Sequence, residues 1–136
     1  MLRKDAKVEL IRQVPLFAHC SKKELREVAA LADEMDFPEG RTLTAEGKTG
    51  REFIVLIEGT ADVRQRGRRI NTLRAGDFLG EIALLSGKPR TATVTTTSPV
   101  RVLVITEQSF KRLLRRSSPL QMKVLQALVE RLPAHA

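Results

Sequence analysis

Apolar positions change their spacing twice along this chain. Up to Ala32 they recur at helical intervals. Val8, Ile11 and Val14 suit one short helix stopping at Pro15, and Leu25, Val28, Ala29 and Ala32 suit a second. Ser21-Lys22-Lys23-Glu24, just ahead of the second stripe, has the spacing of a capping box. From Phe53 the spacing becomes that of strands. Phe53-Ile54-Val55-Leu56-Ile57 predicts a buried strand ending at Glu58-Gly59. Further strands are predicted over 61–63, 69–73, 91–97 and 100–105. The last pair is rich in β-branched residues, with Ser98-Pro99 as the turn between them. After Thr106 the helical spacing returns. Thr106 is positioned to cap a helix bearing Phe110, Leu113 and Leu114, and Ser118-Pro119 then supplies a cap and a first-turn proline. The helix so opened carries Leu120, Val124, Leu125, Leu128, Val129 and Leu132 on one face, with Pro133 beyond.

Glycine marks the same division. All eight glycines fall between Gly40 and Gly87, and none in either flank. Glycine supplies the positive φ of tight turns and weakens helices, so the middle reads as turn-rich β structure and the flanks as helical. With no βαβ alternation and no internal repeat, the predicted class is α+β. It is a β roll or jelly roll of about eight short antiparallel strands, with helices before and after. The expected organisation is one domain over 1–136: N-terminal helices over 1–39, the roll over 40–105 and C-terminal helices over 106–133.

Composition narrows the function. Hydrophobic residues make up 42% and charged residues 29% of 136, the balance of a globular domain. No apolar run is long enough to span a bilayer, and no apolar segment follows Met1-Leu2-Arg3-Lys4-Asp5. Cys20 is the single cysteine and cannot form an internal disulfide, so a cytoplasmic setting is expected. His19 and His135 lie near opposite ends, which leaves no histidine cluster for a metal and no catalytic constellation. A non-enzymatic protein without cofactor or metal is therefore expected. The net charge of +8 raises polyanion binding as an alternative. Its sources are residues 40–99 and 100–136, above all Arg64-Gln65-Arg66-Gly67-Arg68-Arg69 and Lys111-Arg112 with Arg115-Arg116.

One stretch interrupts the strand rhythm, from Gly76 to Ala92. Glu81 to Leu85 is too short for a full helix and has glycine on both sides, which predicts a single helical turn inside the roll. Backbone N–H groups at the start of such a turn suit an anion, Gly80 leaves room for it, and Arg90 adds paired donors for phosphate. Thr91 adds a hydroxyl. Taken singly these are commonplace: a turn, a solvated acid, a surface arginine, a strand threonine. Spacing alone therefore supports an anion site and no specific ligand.

Gly80-Glu81-Ile82-Ala83-Leu84-Leu85 followed by Pro89-Arg90-Thr91-Ala92 resembles the phosphate-binding cassette of the cyclic-nucleotide-binding domain family. That family includes kinase regulatory subunits, cyclic-nucleotide-gated channels and the bacterial catabolite activators. Glu46-Gly47 ahead of Phe53–Ile57, then Glu58-Gly59 and Gly76-Asp77-Phe78, extend the likeness over nearly the whole chain. The resemblance implies that Glu81 accepts from the ribose 2′-hydroxyl and Arg90 pairs with the cyclic phosphate. It places backbone amides near Ala83 and Ala92 in the phosphate cradle 80–92, with Gly80 and Ile82 beside them. Thr91 does not discriminate between cAMP and cGMP as ligand, and cAMP is favoured.

Many members cover the base with an aromatic side chain. Here there is no Trp or Tyr, and none of the five Phe lies on the final helix. An aliphatic lid is therefore expected from Val124, Leu125, Leu128 and Val129, with Leu79 as a further base contact. The same residues could equally pack on the roll. The resulting expectation is a ligand-sensing regulatory module, a monomer or weak homodimer, whose C-terminal helices respond to ligand and act on a protein effector. No DNA-binding domain and no membrane segment are expected within 1–136. Two alternatives stay open: the ligand-binding end of a channel, kinase or transporter, and a basic nucleic-acid-binding module with a degenerate cassette.

Overall fold

A computed structural model describes residues 3–80 and 89–130. Two compact units divide the chain, a β roll over 32–107 and a helical unit formed by 1–31 with 108–136.

The roll contains eight antiparallel strands among the described residues. They are β1 (Asp33–Phe37), β2 (Thr42–Thr44), β3 (Glu52–Glu58), β4 (Ala61–Gln65), β5 (Arg68–Leu73), β6 (Phe78–Leu79), β7 (Thr93–Thr96) and β8 (Val100–Thr106). They form two four-stranded sheets, in the orders β1-β8-β3-β6 and β2-β7-β4-β5. Side chains alternate along a strand, so Ile54 and Leu56 of β3 and Val100, Val102 and Val104 of β8 share one face. These residues meet Ala61, Leu73 and Val94 of the other sheet in a single apolar core. Phe53, Val55, Leu103 and Ile105, on the opposite face, are also buried. Burial on both faces is why β3 and β8 read as unbroken apolar runs.

The fold class is the predicted one, with three local corrections. Strand β1 occupies part of the span 1–39 expected to hold only helices. Its sequence, Asp33-Glu34-Met35-Asp36-Phe37, carries three acids because it is an edge strand, where charge blocks further pairing. It is held by its ladder to β8 and by Arg101, whose Nε donates to Asp36 Oδ1 at 2.8 Å. That hydrogen bond keeps the Asp36 carboxyl below its usual range. Strand β2 was not predicted either. The strand predicted over 91–97 is shorter, because regular pairing begins only at Thr93.

In the helical unit, α1 (Lys4–Arg12) and α2 (Lys22–Ala30) flank a short 3₁₀ turn at Pro15–Phe17. The capping box is present in full: Glu24 N–H donates to Ser21 Oγ at 3.2 Å, and Ser21 N–H to Glu24 Oε1 at 2.8 Å. Helix α3 (Glu107–Arg116) begins directly after Thr106 and brings Phe110 edge-on to Phe17, with ring centroids 5.7 Å apart. Helix α4 spans Ser118–Glu130. Its cap falls one residue earlier than predicted, since Ser117 Oγ accepts from Leu120 N–H at 3.3 Å. Its buried stripe is Leu120, Val124 and Ala127, while Met122, Leu125 and Val129 are exposed. The predicted face had joined parts of both stripes. Among the described residues, no helix is long and apolar enough to cross a membrane.

Candidate functional site

Arg90 is the centre of the site. The segment 89–93 is not laddered into a sheet until Thr93, yet it is fixed by the loop that follows β2. Arg90 N–H donates to the Lys48 carbonyl and Gly47 N–H to the Arg90 carbonyl, both at 2.9 Å. Thr44 Oγ1 donates to the Ala92 carbonyl at 3.1 Å, and Glu46 N–H to Thr93 Oγ1 at 2.9 Å. Gln65 Nε2 of β4 donates to the Thr91 carbonyl at 3.1 Å. Residues 90–93 are thus held by partners from three places in the chain.

Arg90 is 8% exposed, and its guanidinium donates to the Glu52 carbonyl. It passes directly over two glycines. A Cβ at Gly50 would overlap Arg90 Nε, and one at Gly80 would overlap its terminal nitrogen and the Glu52 carbonyl. Gly80 also has φ +95°, a conformation that glycine adopts without penalty. The cation therefore lies in a channel that only residues without side chains leave open.

A cavity of about 240 Å³ opens beside it. Arg90, Thr91, Ala92, Pro89 and Gly80 line it together with the apolar side chains of Val63, Ile70, Leu73, Leu79 and Val94. The pocket therefore pairs a fixed guanidinium with apolar side chains, which suits a molecule that carries both an anionic group and apolar surface. Ile70 is the extra residue of a β-bulge: Val63 pairs with Asn71 and Arg64 with Arg69, leaving Ile70 unpaired and 57% exposed.

Of the residues predicted for the site, Leu79, Gly80, Arg90, Thr91 and Ala92 come together at this cavity. Glu81, Ile82 and Ala83 lie outside the described residues, as does the side chain of Leu128. Val124, Leu125 and Val129 belong to the helical unit, where Val124 is buried and the other two are exposed. Sequence reasoning missed Gly50, the clamp at Gly47 and Lys48, and the wall residues Val63, Ile70, Asn71 and Leu73. The wall was legible in part, because Val63 and Leu73 bound the predicted strands. Nothing in the sequence distinguished Gly50 from the other turn glycines.

The chain is 35% identical over 106 residues to the cAMP-dependent protein kinase regulatory subunit of Aspergillus niger, covering 76% of this chain and 26% of that one. It spans about a quarter of the length of the curated relatives it matches. Among solved structures, it resembles the N-terminal domain of a transcriptional regulator from Streptomyces coelicolor A3(2). That likeness has a TM-score of 0.83 at 26% identity and covers 90% of this chain and 91% of the other. It also resembles the regulatory domain of Toxoplasma gondii PKA with cAMP, with a TM-score of 0.75 at 25% identity, covering 94% and 50%. The family profile for the cyclic nucleotide-binding domain matches residues 34–117, more than half the chain, from β1 to the end of α3. With that match added to the roll and its guarded arginine, the chain belongs to the cyclic nucleotide-binding domain family.

Proposed function

We propose that the chain is a non-enzymatic sensor that binds cAMP in preference to cGMP and passes the binding event to a protein effector. The observation that carries this reading is the buried Arg90 among the residues lining a largely apolar pocket. A cyclic phosphate at Arg90 would leave the purine against Val63, Leu73, Leu79 and Val94. Glu81 is assigned to the ribose 2′-hydroxyl. The amides near Ala83 and Ala92 are assigned to the phosphate, with Gly80 and Ile82 flanking them and the Thr91 hydroxyl close by. The preference for cAMP is supported by the Aspergillus relative, a cAMP-dependent kinase subunit, and by the Toxoplasma structure with cAMP.

In this reading residues 1–136 act as one module, a monomer or weak homodimer in the cytoplasm. The C-terminal helices respond to ligand, and the exposed Leu125 and Val129, with Leu128, provide the aliphatic lid.

Calorimetric titration with cAMP, cGMP and 5′-AMP tests the ligand assignment. Binding should be tightest for cAMP and weakest for 5′-AMP. Arg90→Ala should cost about 1.5–3 kcal/mol, because a charged hydrogen-bonding partner is lost. Arg90→Lys, which keeps the charge without the paired donors, should fall between. Equal millimolar binding of all three ligands, or an Arg90→Ala protein that binds as wild type does, overturns the assignment.

A further inference from the structure

The hairpin between β4 and β5 carries four arginines in six residues: Arg64, Arg66, Arg68 and Arg69. Its turn is the two-residue Arg66-Gly67, with φ +52° and +78°, flanked by the pair Gln65 and Arg68. A turn with both central φ positive follows the twist of the strands and normally takes Asn, Asp or Gly at its first position. Arg66 is the only non-glycine residue with positive φ among those described. Directly behind the turn, Arg64 and Arg69 stand opposite one another, a like-charged cross-strand pair that works against hairpin formation. Arg64 gains only a 3.9 Å approach to Asp62 and a long bond to the Gly67 carbonyl. Among the described residues nothing pairs with the side chains of Arg66, Arg68 or Arg69. The backbone of the tip, by contrast, is anchored, because Arg66 N–H donates to Glu46 Oε1 at 2.9 Å and Gln65 holds the Thr91 carbonyl.

We propose that this hairpin tip is a docking surface for the phosphodiester backbone of duplex DNA. Opposite residues share a face, so Arg64 and Arg69 charge one side of the ribbon, Arg68 the other, and Arg66 the tip. Strand β4 is paired with β7 as far as Arg64, so only 65–68 extend past that pairing, and the four guanidiniums clustered at this end suit a polyanion with closely spaced charges. Duplex DNA presents such a line of anions, with one negative charge per roughly 1.7 Å of helix axis. Guanidiniums make paired bonds to phosphate, and here they are presented from a fixed backbone. A membrane fits less well, since residues 65–68 include no apolar side chain to insert, and Ile70 belongs to the pocket wall. The proposal does not depend on which ligand the pocket takes.

The test is anisotropy of the full chain with two unrelated fluorescent duplexes of about 20 base pairs, between about 50 and 200 mM salt. Both duplexes should bind alike. Replacing all four arginines with Gln should weaken binding by at least about tenfold at low salt and flatten the log–log salt slope by about 3. Arg66→Gly, which fits the turn without strain, should weaken binding by a smaller factor while leaving the fold intact. Removing the same charge from Lys111, Arg112, Arg115 and Arg116 should change binding less than the hairpin substitutions do. Equal losses from the two quadruple variants, tighter binding to polyglutamate or to phosphatidylserine vesicles than to DNA, or no binding at about 50 mM salt would each overturn the proposal.

Discussion

Arg90 reaches the pocket only because two positions 30 residues apart carry no side chain. Gly80 combines this with a left-handed backbone, so two requirements coincide there. At Gly50 the backbone is one that any residue adopts, and the requirement is steric alone. The guanidinium cannot yield at both places, since it is also bonded to the Glu52 carbonyl. Gly50→Ala should therefore displace Arg90 and weaken cyclic nucleotide binding by about tenfold or more, the scale of a lost charged hydrogen bond. Overpacking should cost about 1–3 kcal/mol of stability as well. Calorimetry and urea melts read the two effects separately. A Gly50→Ala protein with unchanged affinity would show that the arginine has another route. In the sequence Gly50 is one of eight glycines in a turn-rich region, and nothing local announces its role. Arg90 was legible because the cassette pattern surrounds it; the residue that makes space for it lies 40 positions earlier.

Elements defined by their own sequence were the most readable. The Ser21–Glu24 box and the apolar run of β3 depend on short-range chemistry, and both are where they were predicted. Strand β1 depends on β8, its partner nearly 70 residues later, and its three acids conceal it. The face of α4 was misread because the helix has two apolar stripes, and spacing does not say which one is covered. Here an ion pair helps to choose. Lys123 Nζ of α4 reaches Glu24 Oε1 of α2, the same carboxylate that closes the capping box. Burial pushes the Glu24 carboxyl up, but the Lys123 and Ser21 hydrogen bonds outweigh it, and its pKa ends below the usual value. Nearby, burial drives the Cys20 thiol up to about 11, with the Glu24 charge adding to the shift and Lys123 opposing it. A carboxylate with a depressed folded-state pKa contributes stability above its unfolded value, near 4.3, and loses it as pH falls through the folded value. Glu24→Gln keeps the box but removes the charge. The variant should be less stable than wild type at neutral pH by up to about 1 kcal/mol, the pair being partly exposed. The difference should shrink as pH falls below about 4. Urea melts at the two pH values decide it, and a difference independent of pH would mean that the charge is not what matters.

At the scale of the molecule, the ligand pocket belongs to the roll, while the exposed aliphatic stripe belongs to the helical unit. The proposed sensor role requires these two to respond together. A ligand can bias the helices only if it binds one of their arrangements more tightly than another. That requirement gives a quantitative test by amide hydrogen exchange. At a cAMP concentration of about 100 Kd, linkage stabilises the liganded state by about 2.7 kcal/mol, which slows exchange through global unfolding about 100-fold. If binding is coupled to α4, amides of its buried stripe at Leu120, Val124 and Ala127 should slow along with those of β4 and β8. If the units respond independently, protection will rise in the roll and stay constant in α4. The second outcome would leave cyclic nucleotide binding in place but remove the C-terminal helices from the response. Leu125→Ser and Val129→Ser separate the two roles further. Both positions are exposed, so the substitutions should leave stability within about 0.5 kcal/mol; under the proposed lid role they should lower cyclic nucleotide affinity, because an exposed apolar side chain contributes only where it becomes covered.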